Sequence, residues 1–146
     1  MSETACISAA LRRTANLVTR VYNAYLAPSG LEVTQYSILR KIQSGKAGSA
    51  SELAELVGVE RSTLARNLER LVSAGLVSAG LVSARTGEGR RVRHELTPAG
   101  SEKIDAALPL WREAQQALVR GLPEGKAPTL HEELALLRKA ARVAQR

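Results

Sequence analysis

The feature that most constrains the fold is the recurrence of apolar residues every three or four positions along most of the chain. Between residues 4 and 26 this spacing is kept by Ile7, Leu11, Ala15, Val18, Tyr22 and Tyr25. Such a period is that of an amphipathic α-helix with one buried side. The 146 residues include no Phe, one Trp and three Tyr, so the core must consist of Leu, Val, Ile and Ala. We therefore predict a mainly α-helical protein, whose length suits a single structural domain.

Several classes of protein are excluded by what the sequence lacks. The single cysteine, Cys6, allows no internal disulfide and no cysteine-based zinc cluster, and His94 and His131 are far apart, so we expect no metal and no cofactor. No apolar run approaches the ~18 residues that a membrane span needs, and we expect a cytoplasmic protein without membrane contact. There is no nucleophile with its base, no pair of acids with a plausible cleft and no phosphate-binding glycine loop, so no enzyme is predicted.

The charge is positive and concentrated in the middle of the chain. The net charge is +7, and residues 60–93 contain seven bases, all arginine, against three acids. Arginine binds phosphate or guanine through two parallel hydrogen bonds, which lysine cannot do. A polyanionic partner is therefore one interpretation, and a solvated basic surface is the other.

Turn and capping signals divide this region into short helices. Residues 28–30 (Pro-Ser-Gly) end the first helix, and Thr34 is predicted to cap a second helix that runs to about Ser44. Residues 49–52 have the S-x-x-E pattern of a capping box, and Gly58 supplies the tight turn after the third helix. The next helix, from about residue 59 to 75, completes a helix-turn-helix pattern.

This fourth helix has one apolar stripe and, at helical spacing, a polar and cationic face. The apolar stripe consists of Leu64, Leu68 and Leu71. The predicted outward residues are Ser62, Thr63, Arg66, Asn67 and Arg70. In a recognition helix, Ser62 and Thr63 would hold a phosphate at the first turn, Arg66 would pair with guanine and Asn67 with adenine, and Arg70 would contact the DNA backbone.

A β-hairpin follows, with strands in residues 76–85 and 90–96 and a glycine-rich turn at 86–89. It carries Arg90 and Arg91 near its tip. A hairpin next to a recognition helix is typical of a winged helix-turn-helix, in which the wing contacts the adjacent backbone or minor groove.

Two further helices complete the chain, and their apolar residues again recur every three or four positions. The residues concerned are Ile104, Leu108, Trp111 and Leu118 in one helix, and Leu130, Leu134, Leu137 and Ala141 in the other. The DNA-binding middle is too small to cover these stripes, so we predict a homodimer. The predicted segments are residues 1–30 (dimerisation), 31–100 (winged helix-turn-helix) and 101–146 (dimerisation).

As a set, these motifs resemble the MarR family of bacterial transcription regulators over nearly the whole chain. They are GLEVTQYSILRKI, SASELAELVGVERSTLARNLERLVSAGLV and GRRVRHELTPAG. The resemblance implies a homodimeric repressor that binds a palindromic operator in double-stranded DNA and is released by a small-molecule effector or an oxidant. It also implies that Arg90, with Arg91 beside it, is the wing arginine that probes the minor groove.

Two departures from the family pattern concern the wing. Gly89 stands where the family has an aspartate before the arginine pair, and Glu88 lies one position earlier. In addition, Ser-Ala-Gly-Leu-Val occurs twice in succession, at residues 73–77 and 78–82. At this junction the chain is therefore five residues longer than the family pattern. The repeat leaves open whether the five extra residues extend the helix or loop out.

Cys6 invites comparison with peroxide-sensing members of the family, with Tyr22 and Tyr36 as candidate neighbours. Its spacing from residues 34–36 is about two residues too long, which puts Ser8 nearer the expected site. A buried, inert thiol is the alternative. His94 and Trp111 are predicted to pack rather than to switch or bind.

The alternative for the whole protein is a winged-helix protein–protein assembly module without sequence-specific DNA binding.

Overall fold

The computed structural model describes residues 5–83 and 90–145, which form six α-helices and a two-stranded antiparallel hairpin. The helices are α1 (Ile7–Leu26), α2 (Val33–Ser44), α3 (Ala50–Val57), α4 (Arg61–Ser73), α5 (Pro98–Arg120) and α6 (Lys126–Ala144), and the strands are β1 (Val77–Ser83) and β2 (Arg90–Leu96). The predicted fold class, mainly α with a small hairpin, is confirmed. Within the described residues, no helix is long and apolar enough to cross a membrane.

The chain divides after Trp111, within α5, into two compact units. The predicted limits at residues 30 and 100 do not coincide with this division, so the three predicted segments stay a prediction. In the second unit, no side chain of α6 is buried. This helix begins at Lys126, four residues before Leu130, the first residue of its predicted apolar stripe.

The caps of the helices differ in detail from those expected. Glu32, not Thr34, is the N-cap of α2, and the Glu32 N–H donates to the side chain of Gln35 at 3.1 Å. At α3 the Ser49 hydroxyl accepts from the Glu52 N–H (3.1 Å) as predicted, but the Glu52 carboxylate accepts from Gly48. Each cap satisfies backbone groups that a helix end leaves free.

The core of the first unit is formed by leucines and isoleucines from several helices. Its fully buried members include Leu26, Ile38, Leu39, Leu64 and Ile104. Leu64, Leu68 and Leu71 of the predicted stripe are all buried, so α4 is held by its apolar side and its opposite side is free for function.

The duplicated Ser-Ala-Gly-Leu-Val segment lengthens the hairpin and does not extend the helix. Gly75 of the first copy has a φ of 75° and ends the α4 region, and the second copy lies within β1. The register pairs Val77 with Leu96 and Ser83 with Arg90. The distance of Arg90 from the base of the hairpin depends on its position in β2 relative to Leu96. The five extra residues lie on β1 and therefore leave this distance unchanged.

Deletion of residues 78–82 should therefore leave the fold intact. Residues 78–80 are exposed, whereas Leu76 and Val77 at the base of the hairpin are buried and retained. We expect the Tm to change by no more than roughly 3 °C, measured by circular dichroism. Unfolding of the deletion variant would mean that these five residues belong to the core.

The base of the hairpin is tied to the start of α5. The Thr97 hydroxyl donates to the Gly75 carbonyl (2.6 Å) and accepts from the Gly100 N–H (3.0 Å), so it caps α5. The Thr97 N–H donates to the Leu76 carbonyl at 3.2 Å. These bonds fix where the hairpin leaves the helix-turn-helix.

Candidate nucleic-acid interface

The helix-turn-helix is formed by α3, a glycine turn and α4. Gly58 has a φ of 82°, a left-handed conformation that strains other residues, and its N–H donates to the Ala54 carbonyl at 2.8 Å. Val59 donates to the same carbonyl at 3.0 Å. The turn thus closes on α3 and releases the chain at Glu60, the N-cap of α4.

The side of α4 opposite its buried leucines is exposed and polar. At a rotation of about 100° per residue, the centre of this side is formed by Ser62, Arg66, Glu69 and Ser73. We call these four residues the outer face of α4, and all of them are exposed. Arg61 and Arg70 lie on its flanks and are also exposed. A helix with hydrogen-bonding and cationic groups on its exposed face has the size and chemistry to enter the major groove.

One of the predicted outward residues is not on this face. Asn67 is only 8% exposed, and its side-chain amide donates to the Thr63 carbonyl at 3.0 Å. The prediction that Asn67 faces outward is therefore wrong, because this position lies on the side of the leucine stripe. Bonding to the carbonyl one turn earlier satisfies the buried amide.

Thr63 and Arg66 contact each other at the edge of the outer face. A guanidinium nitrogen of Arg66 donates to the Thr63 hydroxyl at 3.3 Å, and Thr63 is half-buried. The guanidinium keeps further N–H groups for a partner. Glu69 was not among the predicted outward residues, although the 100° rotation per residue that places Arg66 on the outer face places Glu69 there as well.

The wing arginines are described by the position of their backbone in β2. Arg90 and Arg91 are the first two residues of β2, paired with Ser83 and Val82 of β1. The predicted turn at residues 86–89 lies outside the described residues. Arg93 forms an exposed ion pair with Glu95 (3.4 Å).

His94 lies farther along β2 and lines an open groove of about 900 Å³ between this strand and the connection from α2 to α3. Partial burial lowers the pKa of the His94 imidazole below its usual 6.5. The side chain is therefore neutral at pH 7, as suits a packed strand histidine.

Three of the four aromatic residues of the first unit pack together. Trp111 lies between Tyr22 of α1 and Tyr36 of α2, with ring centroids 6.3 and 6.2 Å apart. Burial raises the pKa of the Tyr22 hydroxyl. Trp111 packs against the core as predicted. Cys6 is exposed at the N-cap of α1, so the interpretation of it as a buried thiol is wrong.

Comparison with known proteins agrees with this geometry. Residues 33–78 match a family model described as a helix-turn-helix domain. A crystal structure of the Mycobacterium tuberculosis transcriptional regulator MosR in complex with DNA is 34% identical, with a TM-score of 0.78, covering 97% of this chain and 99% of that one. A second MosR structure is 35% identical, with a TM-score of 0.82, covering 95% and 97%.

The chain belongs to the MarR family of winged helix-turn-helix transcriptional regulators. The wild-type apo form of Escherichia coli MarR shares the fold at 23% identity and a TM-score of 0.68, covering 92% of this chain and 98% of that one. No curated protein matches the sequence. The predicted resemblance to the MarR family is thus confirmed, and this MarR family member is a DNA-binding transcription regulator by its class.

Proposed function

We propose that this MarR family protein is a repressor that binds a palindromic operator as a homodimer and is released by a small ligand or an oxidant. The observation that carries the proposal is the outer face of α4, which is exposed, polar and flanked by Arg61 and Arg70, while the leucines on the opposite side are buried. Such a regulator would act in the cytoplasm and needs no catalysis.

The proposed binding mode follows from the position of each group on α4. Ser62 and Thr63 lie in the first turn, where free backbone N–H groups and hydroxyls hold a phosphate. Arg66 on the outer face contacts a base edge, and Arg70 on the flank contacts the backbone. Asn67 has no part in this proposal, because its amide is bonded within the helix.

The hairpin β1–β2 is proposed as the wing. Arg90 and Arg91 begin β2, paired with Ser83 and Val82 of β1, so they are the arginines of this strand farthest from the base of the hairpin. A narrow, A/T-rich minor groove attracts arginine through its negative potential. We assign Arg90 to that groove and Arg91 to the neighbouring phosphates.

DNA binding is supported by MosR, whose structure was determined with DNA and which is 34% identical to this chain over nearly its full length. The direct test is binding of the purified protein to the promoter upstream of its own gene, measured by gel shift at several salt concentrations. We expect sequence-dependent and salt-sensitive retardation. An assembly module would give equal or no retardation on promoter and random DNA.

Exposed apolar side chains favour the homodimer. In α1, Ile7 is 56% and Leu17 61% exposed, and in α6, Leu136 is 67% and Val143 61% exposed. Large exposed apolar patches on a soluble protein mark sites of protein–protein contact. A second copy of the chain would cover them and give the two-fold symmetry of a palindromic site.

We therefore expect a dimer in solution. Light scattering at micromolar concentration should give about twice the 15.6 kDa of the chain. A mass near 15.6 kDa that does not rise with concentration would refute the dimer.

The oxidant part of the proposal is tested at Cys6, the one cysteine of the sequence. We expect the native protein and Cys6→Ser to bind DNA equally before and after treatment with peroxide, because the spacing of Cys6 from residues 34–36 is about two residues longer than in the peroxide-sensing members. A ligand rather than an oxidant would then release the repressor. A thiolate is the form that peroxide attacks. Release of the native protein alone by peroxide would make Cys6 the sensor and contradict this expectation.

A further inference from the structure

Glu69 is the one acidic residue of α4, and it occupies the middle of the outer face. It lies seven positions after Ser62, so at 100° per residue the two side chains leave the helix within about 20° of each other. Glu69 is exposed, as is Arg66 one turn before it. An acidic group therefore lies on the exposed face that we propose faces the DNA.

Among the residues that the structure describes, none forms a hydrogen bond or an ion pair with the Glu69 carboxylate. Arg66, one turn before it, donates to the Thr63 hydroxyl instead. An ionised carboxylate that enters a phosphate-lined groove without a donor loses hydration and is repelled. Glu69 therefore weakens binding unless the DNA supplies a hydrogen-bond donor.

The major groove supplies such donors at only some bases. Cytosine presents its N4 amino group, whereas guanine and thymine present acceptors. Adenine has an N6 donor, but its N7 acceptor lies beside it and repels a carboxylate. An acceptor-only side chain such as glutamate is therefore best matched to cytosine.

We propose that Glu69 is a specificity-determining residue that selects cytosine at the base pair it faces in each half-site. This inference rests on the proposed function, because it requires that α4 enter the major groove. Arg66 and Arg70 supply attraction, and Glu69 limits it to sites with a correctly placed amino group. Its contribution is mainly the rejection of other bases, which needs both the charge and the lack of a donor.

The test is selection of bound sites from random double-stranded DNA with the full-length native protein, Glu69→Gln and Glu124→Gln. Glutamine has nearly the same shape but also donates, so it tolerates guanine and thymine. Glu124 is exposed between α5 and α6, outside the helix-turn-helix. The Glu124→Gln variant removes the same charge and serves as the matched control.

We expect the native motif and that of Glu124→Gln to prefer cytosine over guanine by about fivefold to tenfold at one position of each half-site. In Glu69→Gln this preference should fall below about twofold while the other positions stay unchanged. Random DNA should bind Glu69→Gln about twofold to threefold tighter, because one repulsive charge is gone. Circular dichroism spectra should be identical, since Glu69 is exposed.

Three results would overturn the inference. An unchanged motif in Glu69→Gln, with sequence-specific binding by the native protein, would remove the role of Glu69 and leave the proposed function standing. The same loss of preference in Glu124→Gln would show a general effect of charge. If the native protein enriched no motif, the proposed function would fail, and the role of Glu69 with it.

Discussion

Gly100→Ala is expected to destabilise the protein by about 3 kcal/mol and to lower its Tm by roughly 10 °C. Gly100 is buried in the first turn of α5. A methyl group on its Cα would overlap the Leu76 carbonyl oxygen and lie 3.3 Å from Cδ2 of Leu96. The clash is with backbone, which cannot rotate away as a flexible side chain can.

The surrounding hydrogen bonds prevent an easy relaxation. The Leu76 carbonyl accepts from the Thr97 N–H at 3.2 Å, and the Thr97 hydroxyl donates to the Gly75 carbonyl at 2.6 Å. Moving α5 away from β1 would break both bonds. The hairpin would then lose its attachment, and we expect DNA binding to fall together with stability.

Urea unfolding at one fixed protein concentration measures this loss, since the stability of a dimer depends on concentration. Gly80→Ala is the matched control, because a methyl group there meets no atom within 4 Å. We expect its unfolding midpoint to equal that of the native protein. Equal midpoints for all three proteins would mean that α5 can separate from Leu76 without cost.

Arg66→Ala is expected to weaken binding to the operator by about 1–3 kcal/mol and to relax the preference at one base pair. Arg66 is exposed on the outer face of α4, and its 3.3 Å bond to Thr63 lies at the surface. The variant should therefore stay folded. Arg70→Ala, on the flank of the helix, should weaken all sequences about equally, because a phosphate contact carries no base identity.

The effect of Arg90→Ala should differ from both. If its side chain enters a minor groove, the loss should be largest on A/T-rich flanks, and the salt dependence should become shallower by about one unit. Titrations at several salt concentrations, on operators with altered half-sites or altered flanks, separate the three variants. Equal losses for Arg66→Ala and Arg90→Ala on every sequence, including random DNA, would place specificity elsewhere.

Much of the candidate site could be predicted because its signals are local. The spacing of Leu64, Leu68 and Leu71 identifies the buried side of α4, and all three are buried. Once that side is known, the exposure of Ser62 and Arg66 follows from the 100° rotation per residue. The capping roles of Ser49 and Thr97 were predictable for the same reason, since a cap acts within three residues.

The failures lie where residues distant in the sequence meet or where a position borders two faces. Asn67 lies next to the leucine stripe, and its polar side chain suggested exposure, but packing buries it and turns its amide to Thr63. The N-terminus of α2 was assigned to Thr34, whereas Asn23 of α1 accepts from the Val33 N–H at 2.8 Å. That bond joins residues ten positions apart, so no local pattern indicates it.

The sequence by itself determined the helices, the helix-turn-helix and the hairpin, because hydrophobic period and turn residues act over a few positions. The tertiary structure alone decided that the five repeated residues lengthen β1, because their register depends on pairing with β2, from Val77 with Leu96 to Ser83 with Arg90. It likewise decided that only glycine fits at residue 100, because the carbonyl that excludes a larger side chain belongs to Leu76, twenty-four positions earlier. Contacts at that separation depend on how the elements pack, which no local pattern specifies.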